Sequence, residues 1–514
     1  MHKQTQKQSQ TQSLSRTGVQ TQTEKIPISS DIQENSDRIN QILDIGSTNF
    51  DVGQRNVKIL GRECQIYYTN SLVDSTIVVL LMREFMRLSN NNEHAADILK
   101  EIRQHLVHYQ VQEIDSINEA VDYALTGRIV VLIDGETSGF NIDVRHYPGR
   151  SPQEPDVEKV VRGSKDGFTE NIIENSGLIR RRIRDPRFRC EIMQIGERSK
   201  TDVCLCFLKD VTNPGLIKTL RKELKSICVD GIPMADNALE EFVMKQGWNP
   251  YPLVRYTGRP DVAAAHILEG HVVLITDTSP SVMILPTTLF HHLQHAEEYR
   301  QVTASGALLR WIRFIAVFSS IFLVPLWLLL VQDHLLPANL GFIGPNNKNY
   351  HIPLLMQIMI AEIGIETLRM AAIHTPTALS TALGLIAAVL IGQIAIEAGI
   401  FIPEVILYTS VAAIGGFATP SYELQLANKM VRLVLILAVG FFNVPGFMIA
   451  TTLFIIYLSH VKNLNTPYLW PFIPFNPTGL YNILIRRALP TSVLRPSIVR
   501  PIDKYRQPKN SNKK

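Results

Sequence analysis

The sequence predicts a multi-domain integral membrane protein, with a soluble N-terminal α/β region of two related subdomains followed by an α-helical membrane domain. Three observations predict it. Apolar runs long enough to cross a hydrocarbon core crowd between Phe314 and Leu458. The preceding part of the chain holds most of the charge, and its shorter apolar runs mix helical with strand spacing. Within that part, Val121–Gly135 and Val262–Asp277 both read helix, Gly, basic residue, apolar strand, Asp.

With 514 residues, two or three domains are expected. The expected division is a disordered Gln-rich tail over 1–36, subdomains over 37–150 and 151–300, a helical membrane domain over 301–460, and an interfacial segment with a basic tail over 461–514. A net charge of +4 gives no argument for nucleic acid. The polar start lacks the apolar core of a secretory signal, so the first span is expected to serve as the insertion signal. All five cysteines precede that span, and their odd number without a CxxC argues against disulfides or zinc. Reduced thiols in a cytoplasmic compartment are expected, with no metal and no cofactor.

In the tail, Gln alternates with Thr, Lys and Ser, which cannot bury enough apolar surface to offset the entropy of ordering. Beyond it, VKIL and QIYY read as strands on either side of Gly61. Helical spacing follows at Ser75–Leu88, Ala95–Tyr109 and Ile117–Leu125. Gly127 ends the last of these, and Ile129–Ile133 is a buried strand leading to Asp134. In the second subdomain, Cys190–Ile195 and Asp202–Phe207 read as paired strands, with Cys204 and Cys206 on one face. Asn213 and Pro214 cap a helix to Ile227. Asp261–Leu268 is a helix halted by Gly270, and Val272–Ile275 is a strand ending near Asp277. Gly127 and Gly270 lie at the same offset as Asp134 and Asp277. The arginine-rich run Arg180–Arg189 is either a solvated helix end or a contact with another subunit or anionic lipid.

Five apolar runs follow: Phe314–Val331, Leu354–Ile373, Ala378–Ala395, Phe401–Ala418 and Leu433–Leu458. The second carries Glu362, Glu366 and Arg369 at i, i+4 and i+7, on one helix face. Charges at membrane depth face a partner, the protein interior or water. The stripe therefore glues the helix to its neighbours, faces an aqueous path, or marks a helix in the interface. The third run has Thr377, Thr381, Gly384, Ala388 and Gly392 at helical spacing, with Gln393 and Glu397 near one end. Small residues so spaced let helices pack closely, or line a narrow ion path. Positive charge on both flanks of the block puts both termini in the cytoplasm. Five full spans would put the tail outside, so one run is expected to be re-entrant or interfacial. Leu354–Ile373 is the best candidate, and Asn443–Gly446 is another expected break. P-loop, GxGxxG, HExxH and GxSxG motifs are missing, so no enzyme is expected.

RRRIRDPRF at Arg180–Phe188, KTDV at Lys200–Val203, RPDVAAAHILEGHVVLITD at Arg259–Asp277 and NTPYLWPFIPF at Asn465–Phe475 resemble the GerA family, the A-type subunits of spore germinant receptors. The resemblance runs from about Asp51 to the tail. LRMAAIHTPT, ATPSYELQLANK and RPSIVRP point to one branch within it. It implies a multi-pass protein of the spore inner membrane that forms a homo-oligomer, a pentamer on the family's pattern, and passes monovalent cations. The branch implies action beside a small membrane partner protein, outside the receptor complex, that amplifies ion release once germination has begun. Receptor subunits are further candidate partners, and nucleic acid is not. The competing class is a transporter-like or scaffolding accessory subunit.

Overall fold

The computed structural model describes residues 25–91, 111–146, 158–333, 341, 343–345, 351–374, 384, 389–464 and 466–507. They divide into two compact units. One comprises 1–245, 256–286 and 487–514, and the other 246–255 and 287–486.

The first unit is built twice over from one plan. α1 (Ile32–Leu43) precedes the hairpin β1 (Val52–Ile59) and β2 (Arg62–Thr69). Leu60 and Gly61, both at positive φ, make its tight turn, the backbone that two-residue hairpins require. After α2 (Ser75–Asn91) come β3 (Val111–Ile114), α3 (Ile117–Leu125), β4 (Ile129–Ile133) and β5 (Gly139–Ile142). The second copy has α4 (Ile172–Arg180), β6 (Phe188–Ile195), β7 (Thr201–Leu208), α5 (Pro214–Lys225) and α6 (Ala235–Met244). It continues with β8 (Arg255–Thr257), α7 (Pro260–Glu269), β9 (Val272–Thr276) and β10 (Val282–Leu285). The two five-stranded sheets run β1-β2-β4-β5-β3 and β6-β7-β9-β10-β8, the same order. Helices alternate with strands, yet the pairings of β1 with β2, β2 with β4, and β4 with β5 are antiparallel, as are those of their counterparts.

The repeated Asp has a structural task. Asp134 Oδ1 accepts from the Ile32 amide at 3.3 Å, and Asp277 Oδ1 accepts from the Ile172 amide at 3.2 Å. Each therefore ties the end of a central strand to a helix start more than a hundred residues away, where amide groups lack helical partners. Asn35 and Asn175 close the same corner: each side chain bonds both backbone groups of Ser29 or Thr169. Asp31 and Asn171 cap their helices in the same way. Gly127 and Gly270 occupy equivalent left-handed positions at the helix ends, which a Cβ would strain.

Three expectations need correction. The disordered tail was drawn to residue 36, but order reaches back at least to Lys25, with Ile28 and Ile32 buried and α1 opening at Ile32. Periodic apolar positions in α1 and the Asn35 corner offset its polar composition. The run Arg180–Arg189 is not simply a solvated helix end. Arg180 is wholly buried, holding Asp51 through Nε at 2.9 Å and Nη2 at 3.1 Å, with its guanidinium over the Phe188 ring. Arg189 is also buried and bonds Asp44. The two arginines join the second subdomain to the first, while Arg181, Arg184 and Arg187 stay exposed. Finally, the chain beyond Arg486 returns to the first unit. The Ile502 amide donates to the Val211 carbonyl at 2.9 Å, Arg495 Nε to the Leu268 carbonyl at 2.9 Å, and Arg506 pairs with Glu269 at 2.8 Å. The helix expected over Ala95–Tyr109 lies outside the described residues.

The second unit is helical. α8 (Leu289–Leu293) and α9 (Ala296–Arg300) lead into α10 (Thr303–Gln332), followed by α11 (Leu354–His374), α12 (Pro403–Phe417), α13 (Tyr422–His460) and α14 (Pro477–Leu484). By length and composition α10 and α13 can each cross a membrane, and α12 is apolar but shorter. α10, α11, α12 and α13 share one core around Val324, Leu328, Ile358, Val405, Ile436 and Val439.

Candidate functional site

The charged stripe of α11 is where sequence and structure meet most directly. α11 is one continuous helix of 21 residues. Glu362 is 1% exposed, and Arg432 of α13 reaches its Oε2 at 2.6 Å. Arg432 also donates to the Ser320 carbonyl of α10 at 2.8 Å, so one guanidinium ties three helices together. Lys429, one turn before Arg432, bonds Glu366 at 2.6 Å and the Glu362 carbonyl at 3.3 Å. Arg369 pairs with Glu366 and stacks over the Tyr422 ring at 4.9 Å.

Glu362, Glu366 and Arg369 are thus brought together, as their spacing predicts. Lys429 and Arg432 were missed because they precede the last apolar run. Their i, i+3 spacing, which puts them on one helix face, was the available signal. The cluster holds three cations and two carboxylates, and one side of it opens into a cleft lined by Ser320, Gln425, Glu366, Arg369, Lys429 and Arg432. The helices can approach because Gly415 of α12 lies against α10, where a Cβ would stand 2.4 Å from the Ala316 carbonyl oxygen.

Of the small-residue stripe, Thr377, Thr381 and Ala388 lie outside the described residues. A Cβ built on Gly384 or Gly392 meets nothing within 4 Å among the described residues. Gln393 is exposed and donates to Glu397 at 3.3 Å. The backbone over Leu390–Ile394 is a π-helical turn, a form concentrated at functional positions. In α13 the expected break is present: Asn443 has φ 51° and ψ −134°, two residues before Pro445.

Just before α10, His292 is buried, and burial with the nearby Arg255 lowers its pKa to about 3.

The family model described as the Bacillus/Clostridium GerA spore germination protein matches residues 37–498. Stage V sporulation protein AF of Bacillus subtilis (strain 168) is 55% identical over 465 residues, covering 90% of this chain and 94% of that protein. Spore germination protein A1 of the same organism is 27% identical over 388 residues, covering 75% of this chain and 79% of its own. Among solved structures, the N-terminal domain of the A subunit of the Bacillus megaterium spore germinant receptor GerK3 matches with 26% identity and a TM-score of 0.40, over 51% of this chain and 96% of that one. The buried family motifs around Arg180 and Asp277, and the match over nearly the whole chain, lead to one statement: the chain belongs to the GerA family of spore germination proteins.

Proposed function

We propose that this chain is a non-enzymatic, multi-pass membrane subunit of a homo-oligomeric channel that conducts monovalent cations during germination and amplifies the response to nutrient germinants. Membership of the GerA spore germination family, the 55% identity to stage V sporulation protein AF and the 27% identity to spore germination protein A1 support the process. One observation carries the channel reading. The helical unit pairs its charges inward, among α10, α11 and α13, and leaves Gly384 and Gly392 without close packing, and the Gln393 side chain exposed, among the described residues. An exposed polar and small-residue surface on an otherwise apolar unit is what a ring of subunits needs to enclose water. The paired cluster has the character of glue, because its surplus positive charge would repel cations.

The return of the tail to the first unit supports an even number of crossings, with both the N-terminal region and the tail cytoplasmic. A small membrane protein and receptor subunits are the proposed partners. The break at Asn443 favours the second reading, a transporter-like or scaffolding subunit, since transporters place discontinuous helices at their binding sites.

Reconstitution in liposomes, with and without the small partner, tests the reading through passive release of K⁺ or Na⁺. Flux that scales with the gradient supports a channel, and saturable uptake coupled to a second ion supports the transporter. Replacing Gly384 or Gly392 by Leu should block flux while the oligomer survives. Unchanged flux in both variants would remove this surface from the pore.

A further inference from the structure

Cys190, Cys204 and Cys206 are each fully buried, and their sulfur atoms all lie within 4.8 Å of one another. Cys206 Sγ is 3.6 Å from Cys190 Sγ across the β6–β7 pair and 3.6 Å from Cys204 Sγ along β7. A metal ion bound at about 2.3 Å by thiolates holds its sulfurs roughly 3.8–4.0 Å apart, so the trio needs little adjustment to close on one.

The internal repeat shows that these positions are not ordinary apolar filling. When the two sheets are matched through Asp134 and Asp277, Cys204 and Cys206 fall on Gln65 and Tyr67. Cys190, paired with Cys206, falls on Gln54, paired with Tyr67. In the first sheet the Tyr67 hydroxyl donates to Gln65 at 2.7 Å, a buried polar contact. The second sheet has sulfur at all three equivalent places, while Val203 and Leu205 fill the alternate positions.

Both charges of the buried Arg180–Asp51 pair act on the thiols, the guanidinium favouring thiolate at Cys206 and the carboxylate opposing it. The Arg180 guanidinium is close enough to Cys190 and Cys206 to interact electrostatically with both. Asn49 and Phe50 of the first subdomain pair with the Cys190 backbone. The thiols therefore sit beneath the joint made by Arg180, Asp51 and Asn49.

We propose that Cys190, Cys204 and Cys206 form a three-thiolate site for one soft metal ion of the Zn²⁺/Cu⁺ class, which locks the joint between the two α/β subdomains. Soft thiolate ligands select such ions. Loading with zinc converts Zn²⁺ and three thiols into a [Zn(SR)₃]⁻ centre and three released protons. With Cu⁺ the same three protons leave and the centre carries two negative charges. Neither route changes an oxidation state. The buried position means that the ion enters as the chain folds.

The test uses the full-length chain, produced in medium supplemented with zinc or with copper and purified in detergent. After dialysis against EDTA or a copper(I) chelator, elemental mass spectrometry should find about one ion per chain. Cys228→Ser, which changes an exposed thiol, should retain it. Cys190→Ala and Cys206→Val should lose at least tenfold of the bound metal, with unchanged far-ultraviolet circular dichroism. If those variants fail to fold, X-ray absorption at the metal edge of the native chain still decides, and three sulfur neighbours are expected. Zinc and copper arms identify the ion, and retention of either supports the site. No ion retained in either arm, or an ion without sulfur neighbours, overturns it.

Discussion

Glu362 shows how one carboxylate deep in an apolar unit is tolerated. Its charge is met by Arg432, and its helix is anchored by Lys429 through the backbone. Glu362→Gln should therefore leave the Arg432 guanidinium buried without a counter-charge, an arrangement that typically costs about 3–5 kcal/mol. Arg369, on the same face of α11, is not the partner of Glu362: it is held by Glu366 and Tyr422. Unfolding in mild detergent should show the loss, and Glu362→Gln combined with Arg432→Gln should recover part of it. A single variant as stable as the parent would rule out the pairing. His292 offers a second test at this scale. Its folded pKa of about 3 lies below the ordinary 6.5, so the neutral ring stabilises the fold fully above about pH 6.5. That contribution is lost as pH falls towards 3, by about 2 kcal/mol at pH 5. His292→Gln should flatten the fall in Tm between pH 7 and pH 5.

Among elements, α10 and α12 touch where Gly415 removes a side chain from the interface. Gly415→Val should push the helices apart and cost roughly 1–3 kcal/mol, the usual effect of overpacking. Gly384→Leu should leave stability unchanged, because no packed atom of the described chain opposes it. Measuring both variants by thermal unfolding separates packing from pore lining. In α13, Asn443 adopts a backbone that glycine accepts readily and β-branched residues do not. Asn443→Gly should keep the break and the yield of folded protein, while Asn443→Val should lower it. Much of this level was legible in the chain. Gly127, Gly270, Asn213 and Pro214 announce helix ends because their chemistry suits those backbones. The break at Asn443–Gly446 was announced by Pro445. The thiol cluster was not, because Cys190 and Cys206 meet only through strand register, which no local spacing encodes. Arg180 was misread for a similar reason: its partner Asp51 is far away in the chain, and burial of a paired charge leaves no local mark.

Across the whole molecule, duplication was readable because the Gly and Asp positions keep one offset, and the sheets then repeat strand order for order. Where the tail docks was not readable, since its basic composition suits a solvated end equally well. Its contacts fall on Val211, Leu268 and Glu269 of the second subdomain. Removing residues 487–514 should expose that face, raise its proteolytic sensitivity several-fold and leave the first subdomain's sheet protected from hydrogen exchange.

That docking also sets an order of events during synthesis. Residues 487–514 belong to the unit that is made first, and the whole helical segment is made before them. The α/β unit therefore stays uncapped along the face of Val211, Leu268 and Glu269 until residues 487–514 have been made. Until they are in place, the unit displays an unfinished surface to cellular proteases.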